Sequence, residues 1–379
     1  MTAKKKSHRY IVEAVIFLVL IVALFGGLGA VMGGENLTRT LMNTAHDLLL
    51  NTVFWLMGVC VIAGALSKML SEFGVVELLE KLLRPLMKPL FNLPGVAALG
   101  AVMTFLSDNP AIIALSKDRK FAANFKKYQL VSLTNFGTAF GMGLIVIITM
   151  ATYGGLKAAL IGLFGAICGS IISTRLMQRF TLKSFPEMDA PAMGELVEEE
   201  VEVESNKKDS VMLRFLNSML DGGKSGVELG LAIIPGVLII TTLVFLITNG
   251  PGPNGYDGGI GQGVPILPWL AGKIHWLLDW LFGFKDMKLI AFPITSLGAV
   301  GAALGLVPSY SAAGIMDGNA IAVCTAIGMC WSGYLSTHTA MLDSLGYRKC
   351  IGKAIGAHTI AGLCAGIIAH FSWLLVALL

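Results

Sequence analysis

Residues 99–114 read LGAVMTFLSDNPAIIA, and residues 297–312 read LGAVGAALGLVPSYSA. The two stretches share their first four residues, and a proline, Pro110 or Pro308, then follows at the same distance. A proline inside an apolar run removes a backbone donor and disfavours helix in the residue before it. Each stretch therefore predicts an apolar helix that is interrupted near its proline.

The same order of elements surrounds both stretches. Each is preceded by an apolar span and an amphipathic segment, and two more apolar spans follow it. The amphipathic segments are Val75–Phe91 and Ile274–Phe284, and the second contains Trp276 and Trp280, which are typical of membrane interfaces. Both segments are predicted to lie on the bilayer surface. The chain is therefore predicted to contain an internal repeat.

Composition places the chain in a membrane. Hydrophobic residues make up 55% of its 379 residues and charged residues 14%, whereas a soluble domain carries about 25% charged residues. Seven apolar runs reach the roughly 20 residues that cross a bilayer, and a backbone in lipid must be helical. These runs are Ile11–Met32, Leu48–Leu70, Tyr128–Ala151, Gly155–Leu176, Val227–Thr248, Gly318–Leu342 and Ile351–Leu378.

Lysine and arginine residues mark one side of the predicted membrane. They are concentrated before the first span, in residues 117–127, in the central loop and in residues 348–353, whereas residues 249–265 and 308–317 have none. Basic loops stay in the cytoplasm. We therefore expect a cytoplasmic N-terminus, a C-terminus outside, and location in the cell (inner or plasma) membrane. The two interrupted runs then start from opposite faces, so the repeats are inverted.

The predicted fold is all-α and polytopic, with two inverted repeats and one extra N-terminal span. Each repeat contains three spanning helices, an amphipathic helix and a broken or re-entrant helix. The expected divisions are a basic tail and first span (1–47), the first repeat (48–176), an acidic cytoplasmic linker (177–226) and the second repeat (227–379). Inverted repeats with discontinuous helices are a recurring plan of secondary transporters, whose solute site lies near mid-membrane.

The first interruption carries the polar residues Ser107, Asp108 and Asn109 immediately before Pro110. Such side chains cap a following helix, whose first N–H groups favour an anion or a polar group. A carboxylate at membrane depth usually marks the path of an ion, a proton or a solute. The alternative, which has equal weight, is that Asp108 lies in the headgroup zone as a plain cap.

The second interruption and the spans that follow each break supply hydroxyl, amide and imidazole groups. Hydroxyl groups in spans bind solutes, but they also link helices or satisfy their own backbone, and these interpretations stay open. The candidate solute-binding residues beyond the first interruption are Thr134, Asn135, Thr138, Ser309, Tyr310, Ser311, Ser332, Thr337 and His338.

Several function classes are disfavoured by the sequence. The chain has no HExxH, GxSxG or P-loop pattern, so an enzyme is not expected. His338 and Asp343 are too far apart on a helix to share a metal ion, and no cofactor or metal site is predicted. The six cysteines form no CxxC pair and are expected to be small buried hydrophobes. A net charge of +4 gives no indication of nucleic-acid binding.

One region resembles a known family. Residues 83–95 read LRPLMKPLFNLPG, and residues 109–112 read NPAI after an apolar run. Together they resemble the Gate, or nucleoside-recognition, family of bacterial membrane proteins, which includes spore-maturation proteins and the gates of FeoB-type iron transporters. The FeoB-type gates have a cysteine before this segment, whereas Ser107 and Asp108 stand here, and no GTPase domain is present. These departures argue against iron transport by that mechanism.

The repeat and the resemblance together predict a secondary transporter or permease that works by alternating access. Its solute would be small and polar, nucleoside-like or an organic ion, with a proton or cation coupled to its movement. The alternatives are a membrane scaffold or assembly protein of the spore-maturation type and, after it, a metal-ion permease. The expected partners are membrane lipid, the solute and the coupled ion, and a homo-oligomer is also considered.

Overall fold

The computed structural model describes residues 3–192 and 210–378, with side chains from Tyr10 onward. In this part of the chain the elements are helices, and none is a strand. Seven helices are long and apolar enough to cross a bilayer, which confirms the predicted number of spans. They are Tyr10–Met32, Gly34–Glu72, Lys127–Gly154, Leu156–Ser184, Val211–Thr248, Gly318–Ser344 and Arg348–Ala377.

After the N-terminal span, two halves contain the same helices in the same order. The first half consists of the first long helix (Gly34–Glu72), an amphipathic helix (75–91), the first hairpin (97–117), the first broken helix (Lys127–Gly154) and a closing helix (Leu156–Ser184). The second half consists of the second long helix (Val211–Thr248), an amphipathic region (266–282), the second hairpin (287–312), the second broken helix (Gly318–Ser344) and a closing helix (Arg348–Ala377).

The two long helices are antiparallel and pack against each other. At one end Arg214 Nε donates to Glu72 Oε1 at 2.7 Å, which joins the start of the second long helix to the end of the first. At the other end Asn43 Nδ2 donates to the carbonyl oxygen of Gly258 at 2.9 Å, in the loop after the second long helix. The bundle therefore has a Glu72 end and a Gly258 end.

Each hairpin is too short to cross the bilayer. The first consists of helices Ala97–Leu106 and Pro110–Lys117, of 10 and 8 residues. At 1.5 Å per residue, each covers about half of a hydrocarbon core roughly 30 Å thick. This hairpin starts at the Glu72 end of the bundle, and the second follows the loop at the Gly258 end. The hairpins thus enter from opposite ends, as expected for inverted repeats.

The second interruption lies upstream of the predicted position. Residues Val307–Ala312 are helical, and one discontinuity is at Ala299, between Ala291–Gly298 and Val300–Leu304. A turn at Gly305 and Leu306 then separates Val300–Leu304 from Val307–Ala312. The predicted break over residues 307–314 is wrong for Val307–Ala312, which are helical, although turns lie on both sides of them. Pro308 lies in the first turn of its helix, where a missing N–H costs nothing.

The offset between the two repeats in the structure also differs from the offset of the sequence match. The broken helices begin at Lys127 and Gly318, 191 residues apart, and the hairpin breaks at Asp108 and Ala299 have the same separation. The shared letters at Leu99 and Leu297 are 198 residues apart. The difference of seven residues is about two helical turns, so both alignments keep the same helix face.

Helix also occupies both ends of the segment assigned to the linker. The closing helix of the first half continues to Ser184, and the second long helix begins at Val211. The cluster of glutamates, Glu195 to Glu204, lies outside the described residues. The division of the chain into four segments remains a prediction.

Candidate functional site

The break in the first hairpin places an amide between the two halves of the protein. Helix Ala97–Leu106 ends before Ser107, and the next helix begins with Pro110 at its first position. The buried Asn109 lies between them, and its Nδ2 donates to Ser332 O at 2.5 Å and to Thr337 Oγ1 at 3.1 Å. One side chain thus connects the first hairpin with the second broken helix.

The spanning helix after each hairpin is itself interrupted. The first broken helix is discontinuous over residues 139–142, and the second over residues 331–333. Each new half starts after a residue in the left-handed region, Met142 with φ 54° and Gly333 with φ 63°. This backbone conformation is uncommon for a residue with a side chain and is often found at functional sites.

All four breaks meet at one place. Gly141 lies directly against the Asn109 amide, because an added Cβ would overlap Asn109 Oδ1. In the second half the N–H of Gly333 donates to Ser296 O at 3.2 Å, near the break of the second hairpin. With the bond from Asn109 to Ser332, these contacts join the interruptions of both repeats.

A cavity of about 350 Å³ lies where the breaks meet. Residues from both hairpins, both broken helices and the second long helix line it. They are Asp108, Asn109, Pro110, Ile113, Met142, Leu229, Ala232, Ile233, Gly236, Gly298, Ala299, Val300, Gly301, Ala302, Ser332, Gly333, Ser336, Thr337 and Ala340. Residues of both repeats therefore meet at one cavity, as expected for inverted repeats with a shared site.

A second cavity of about 580 Å³, here called the vestibule, adjoins the first at Asp108 and Pro110. It lies between the two long helices and the first hairpin, and Ser71 and Gly222 line it near the Glu72 end of the bundle. The half-buried Asp108 faces both spaces. The vestibule therefore continues from the cavity toward that end.

The cavity contains a single charged side chain. Among the residues that the structure describes, Asp108 is the one charged residue in its lining, whereas the vestibule adds Lys68 and Glu228. None of the ion pairs found within residues 10–192 and 210–378 involves Asp108. A carboxylate without a cationic partner at membrane depth is costly, so a positive charge in the cavity would stabilise it.

Five of the twelve predicted site residues line these two spaces. Asp108, Asn109, Ser332 and Thr337 line the cavity, and Ser107 lines the vestibule. The hydroxyl triplet of the second hairpin, Ser309, Tyr310 and Ser311, lies on the helix beyond the break and lines neither space.

The other four predicted residues are buried in helix packing and line neither space. They are Thr134, Asn135, Thr138 and His338. Asn135 Nδ2 donates to Ser173 Oγ at 2.9 Å and to Ala354 O at 3.0 Å, and Ser173 Oγ is 2.7 Å from His358 Nδ1. The His338 and His358 rings are 4.6 Å apart between centroids. Asn135, Ser173 and His358 thus form a polar connection between helices. Within the described residues the side chains of Thr134, Thr138 and His338 make no hydrogen bond.

Several lining residues could not be identified from residue type. The second hairpin contributes Gly298–Ala302, and the second long helix contributes Leu229, Ala232 and Ile233. The sequence indicated the breaks of the two spanning helices by GMG at 141–143 and SG at 332–333, because closely spaced glycine and serine residues in a span permit a break. In the described residues no three His, Cys, Asp or Glu side chains are grouped as metal ligands.

Comparison with known proteins agrees with this architecture. Residues 53–154 match the Gate family, described as nucleoside recognition. An 87-residue stretch is 33% identical to an uncharacterized protein of Alkalihalophilus pseudofirmus, and the match spans 22% of this chain and 19% of that protein.

Solved structures of CNTnw, a concentrative nucleoside transporter, superpose over most of the chain. A double variant in an outward-facing state gives a TM-score of 0.53 at 16% identity, and an inward-facing substrate-bound state gives 0.54 at 15%. Each alignment covers 96% of this chain and 85% of CNTnw. The chain thus has the fold of these transporters, and residues 53–154 within it match the Gate family.

Proposed function

We propose that this protein is a secondary transporter or permease that moves a small polar solute across the cell membrane by alternating access. The observation that carries the proposal is the single cavity at which the breaks of both inverted halves meet. A site between two inverted halves can be offered to each face in turn when one half moves against the other. The fold shared with CNTnw and the Gate match support the same function.

The vestibule indicates which face is open in this conformation. It approaches the Glu72 end, where the basic segments 117–127 and 348–353 also lie. Since basic segments remain in the cytoplasm, we assign this end to the cytoplasm and the conformation to the inward-facing state. The N-terminus is then cytoplasmic and the C-terminus outside.

Asp108 is the residue on which coupling would depend. It faces both the cavity and the vestibule, and it is the only charged residue of the cavity lining. We propose that it binds the positive charge that moves with the transport cycle, a coupled proton or cation. The solute is either nucleoside-like, as the Gate description suggests, or an organic ion.

The alternatives have less support. A non-transporting scaffold needs no cavity at the meeting point of four helix breaks, and an enzyme needs catalytic groups that the lining lacks. A metal-ion permease would be expected to gather several acidic, histidine or cysteine ligands, and the cavity lining has one, Asp108. The exposed apolar side chains of the N-terminal span fit contact with lipid. Homo-oligomer formation stays a prediction.

Accessibility of a cavity residue from both faces tests the proposal without knowledge of the solute. Ala340 is exposed and lines the cavity, so Ala340→Cys should react with a small membrane-impermeant thiol reagent from the cytoplasmic face, and more slowly from the outer face. Reactions are followed by mass shift in inside-out and right-side-out vesicles. Lys117→Cys, at the Glu72 end, is the one-sided control. Reaction of Ala340→Cys from one face alone would favour the scaffold.

A further inference from the structure

Most of the polar side chains that line the cavity offer hydrogen-bond acceptors to a ligand. Ser336 Oγ and Thr337 Oγ1 donate to Gly333 O at 3.0 Å and 3.1 Å, so their hydroxyl hydrogens are already used. A hydroxyl that has given its hydrogen offers only acceptor lone pairs, and a carboxylate such as Asp108 is also an acceptor. Ser332 Oγ, which makes no hydrogen bond among the described residues, could also donate, but the other polar side chains of the lining favour a ligand that donates hydrogen bonds.

Hydroxyl side chains of the vestibule also offer hydrogen-bond acceptors. Ser67 Oγ lies 2.8 Å from Ala63 O and 2.7 Å from Leu106 O, and its one hydrogen is used by these carbonyl oxygens. Ser107 Oγ donates to Met103 O at 2.6 Å. These hydroxyls also present lone pairs to the open space. These two hydroxyls are acceptors on the route to Asp108, and Lys68 and Glu228 contribute one charge of each sign.

No aromatic ring lines either space in the part of the chain that the structure describes. Proteins commonly bind a nucleobase by stacking it on an aromatic side chain or an arginine plane, and the two linings contain neither. The apolar part of the cavity wall consists of Ile113, Met142, Leu229, Ile233 and Val300, which suit aliphatic carbon.

We infer that the solute is a small aliphatic cation, a protonated amine, whose positive charge pairs with Asp108. This inference rests on the proposed function and specifies its solute class. An ammonium group donates hydrogen bonds and supplies the charge that Asp108 lacks, while its methylene or methyl groups contact the aliphatic wall. The positive charge that Asp108 binds during the transport cycle then belongs to the solute itself.

Ligand-induced stabilisation tests this class directly, because a ligand that binds the native state raises the unfolding temperature. The purified protein is titrated with putrescine and agmatine, with uridine and adenosine as neutral probes and succinate as an anionic probe. We expect at least one cationic probe to stabilise the protein and the other three to have no effect. Asp108→Asn should weaken binding of that probe at least tenfold, and Asp108→Glu only a few fold.

The matched control is Glu35→Gln, the same change of charge at an exposed residue paired with Arg39, far along the chain from the site. It should leave the affinity unchanged. Size-exclusion profiles of all variants verify that they fold. The inference is overturned if no amine stabilises the wild type, if uridine or adenosine does so instead, or if Asp108→Asn binds the amine as tightly. These outcomes leave the transport proposal intact, since that depends on the two-sided reactivity of Ala340→Cys.

Discussion

Replacement of Asp108 by asparagine should reduce solute uptake by about a hundredfold. Asp108 is the only charged residue of the cavity lining, and it lies where cavity and vestibule meet. Removal of one partner from a buried charge pair costs roughly 3–5 kcal/mol, and each 1.4 kcal/mol is a factor of ten in affinity. Uptake is measured in proteoliposomes with radiolabelled putrescine, agmatine and uridine in parallel.

Two further variants make the uptake result specific. Asp108→Glu keeps the charge and should retain part of the uptake, whereas Glu35→Gln should retain all of it. Equal uptake by the wild type and Asp108→Asn, for every probe that the wild type accumulates, would remove Asp108 from the mechanism. Loss of uptake in Glu35→Gln as well would indicate a general effect of surface charge.

Replacement of Gly226 by alanine should destabilise the contact between the two long helices. Gly222 and Gly226 lie one turn apart on the second long helix, and an added Cβ at Gly226 would overlap the backbone carbonyl of Cys60. Small residues at such spacing let membrane helices approach closely. Because backbone atoms cannot move aside like a flexible side chain, we expect a loss of about 1–3 kcal/mol.

The measurement is the midpoint of thermal unfolding of the purified protein, followed by fluorescence-detected size exclusion. Gly223→Ala is the matched control, because its Cβ would lie 3.7 Å from Val61 Cγ1, an ordinary contact. Since alanine favours helix over glycine, this variant should unfold at the same temperature as the wild type or a higher one. Equal midpoints for the two variants would show that the close contact contributes nothing.

The spans could be predicted from the sequence because lipid requires long apolar helices. The start of the helix Pro110–Lys117 was also predictable, because a proline that follows polar residues often begins a helix. The amphipathic segment 75–91 has the bounds that its pattern predicted. In each case the local sequence and the membrane impose the same structure.

The position of the second break could not be predicted from the sequence match between residues 99–102 and 297–300. That match aligns the two repeats with an offset that differs by seven residues from the structural one. Ala299 interrupts a run of Gly, Ala and Val residues without a polar residue or proline beside it. Pro308, which resembles Pro110 in sequence, likewise lies in the first turn of its helix, eight residues or more beyond Ala299. A proline that is tolerated in a first turn gives no sign of where the preceding helix ended.

The candidate site was predictable only in part because polar residues in spans have two uses. Asn109 and Asn135 are both buried amides, but Asn109 lies beside the cavity and Asn135 bonds to Ser173 in the helix packing. Residue type is the same in the two positions, so only the path of the backbone distinguishes them. Residues Gly298–Ala302 line the cavity, and none of them has a polar side chain that could have indicated it.

The most direct test of the inverted architecture is the side of the membrane from which each hairpin enters. Lys117 ends the first hairpin and Ala313 follows the second, and both side chains are exposed. Each is replaced by cysteine and treated with an impermeant thiol reagent in sealed vesicles of known orientation, with the unsubstituted protein as the blank. We expect Lys117→Cys to react only from the cytoplasmic face and Ala313→Cys only from the outer face. Reaction of both from the same face would contradict the inverted repeat and, with it, alternating access through this cavity.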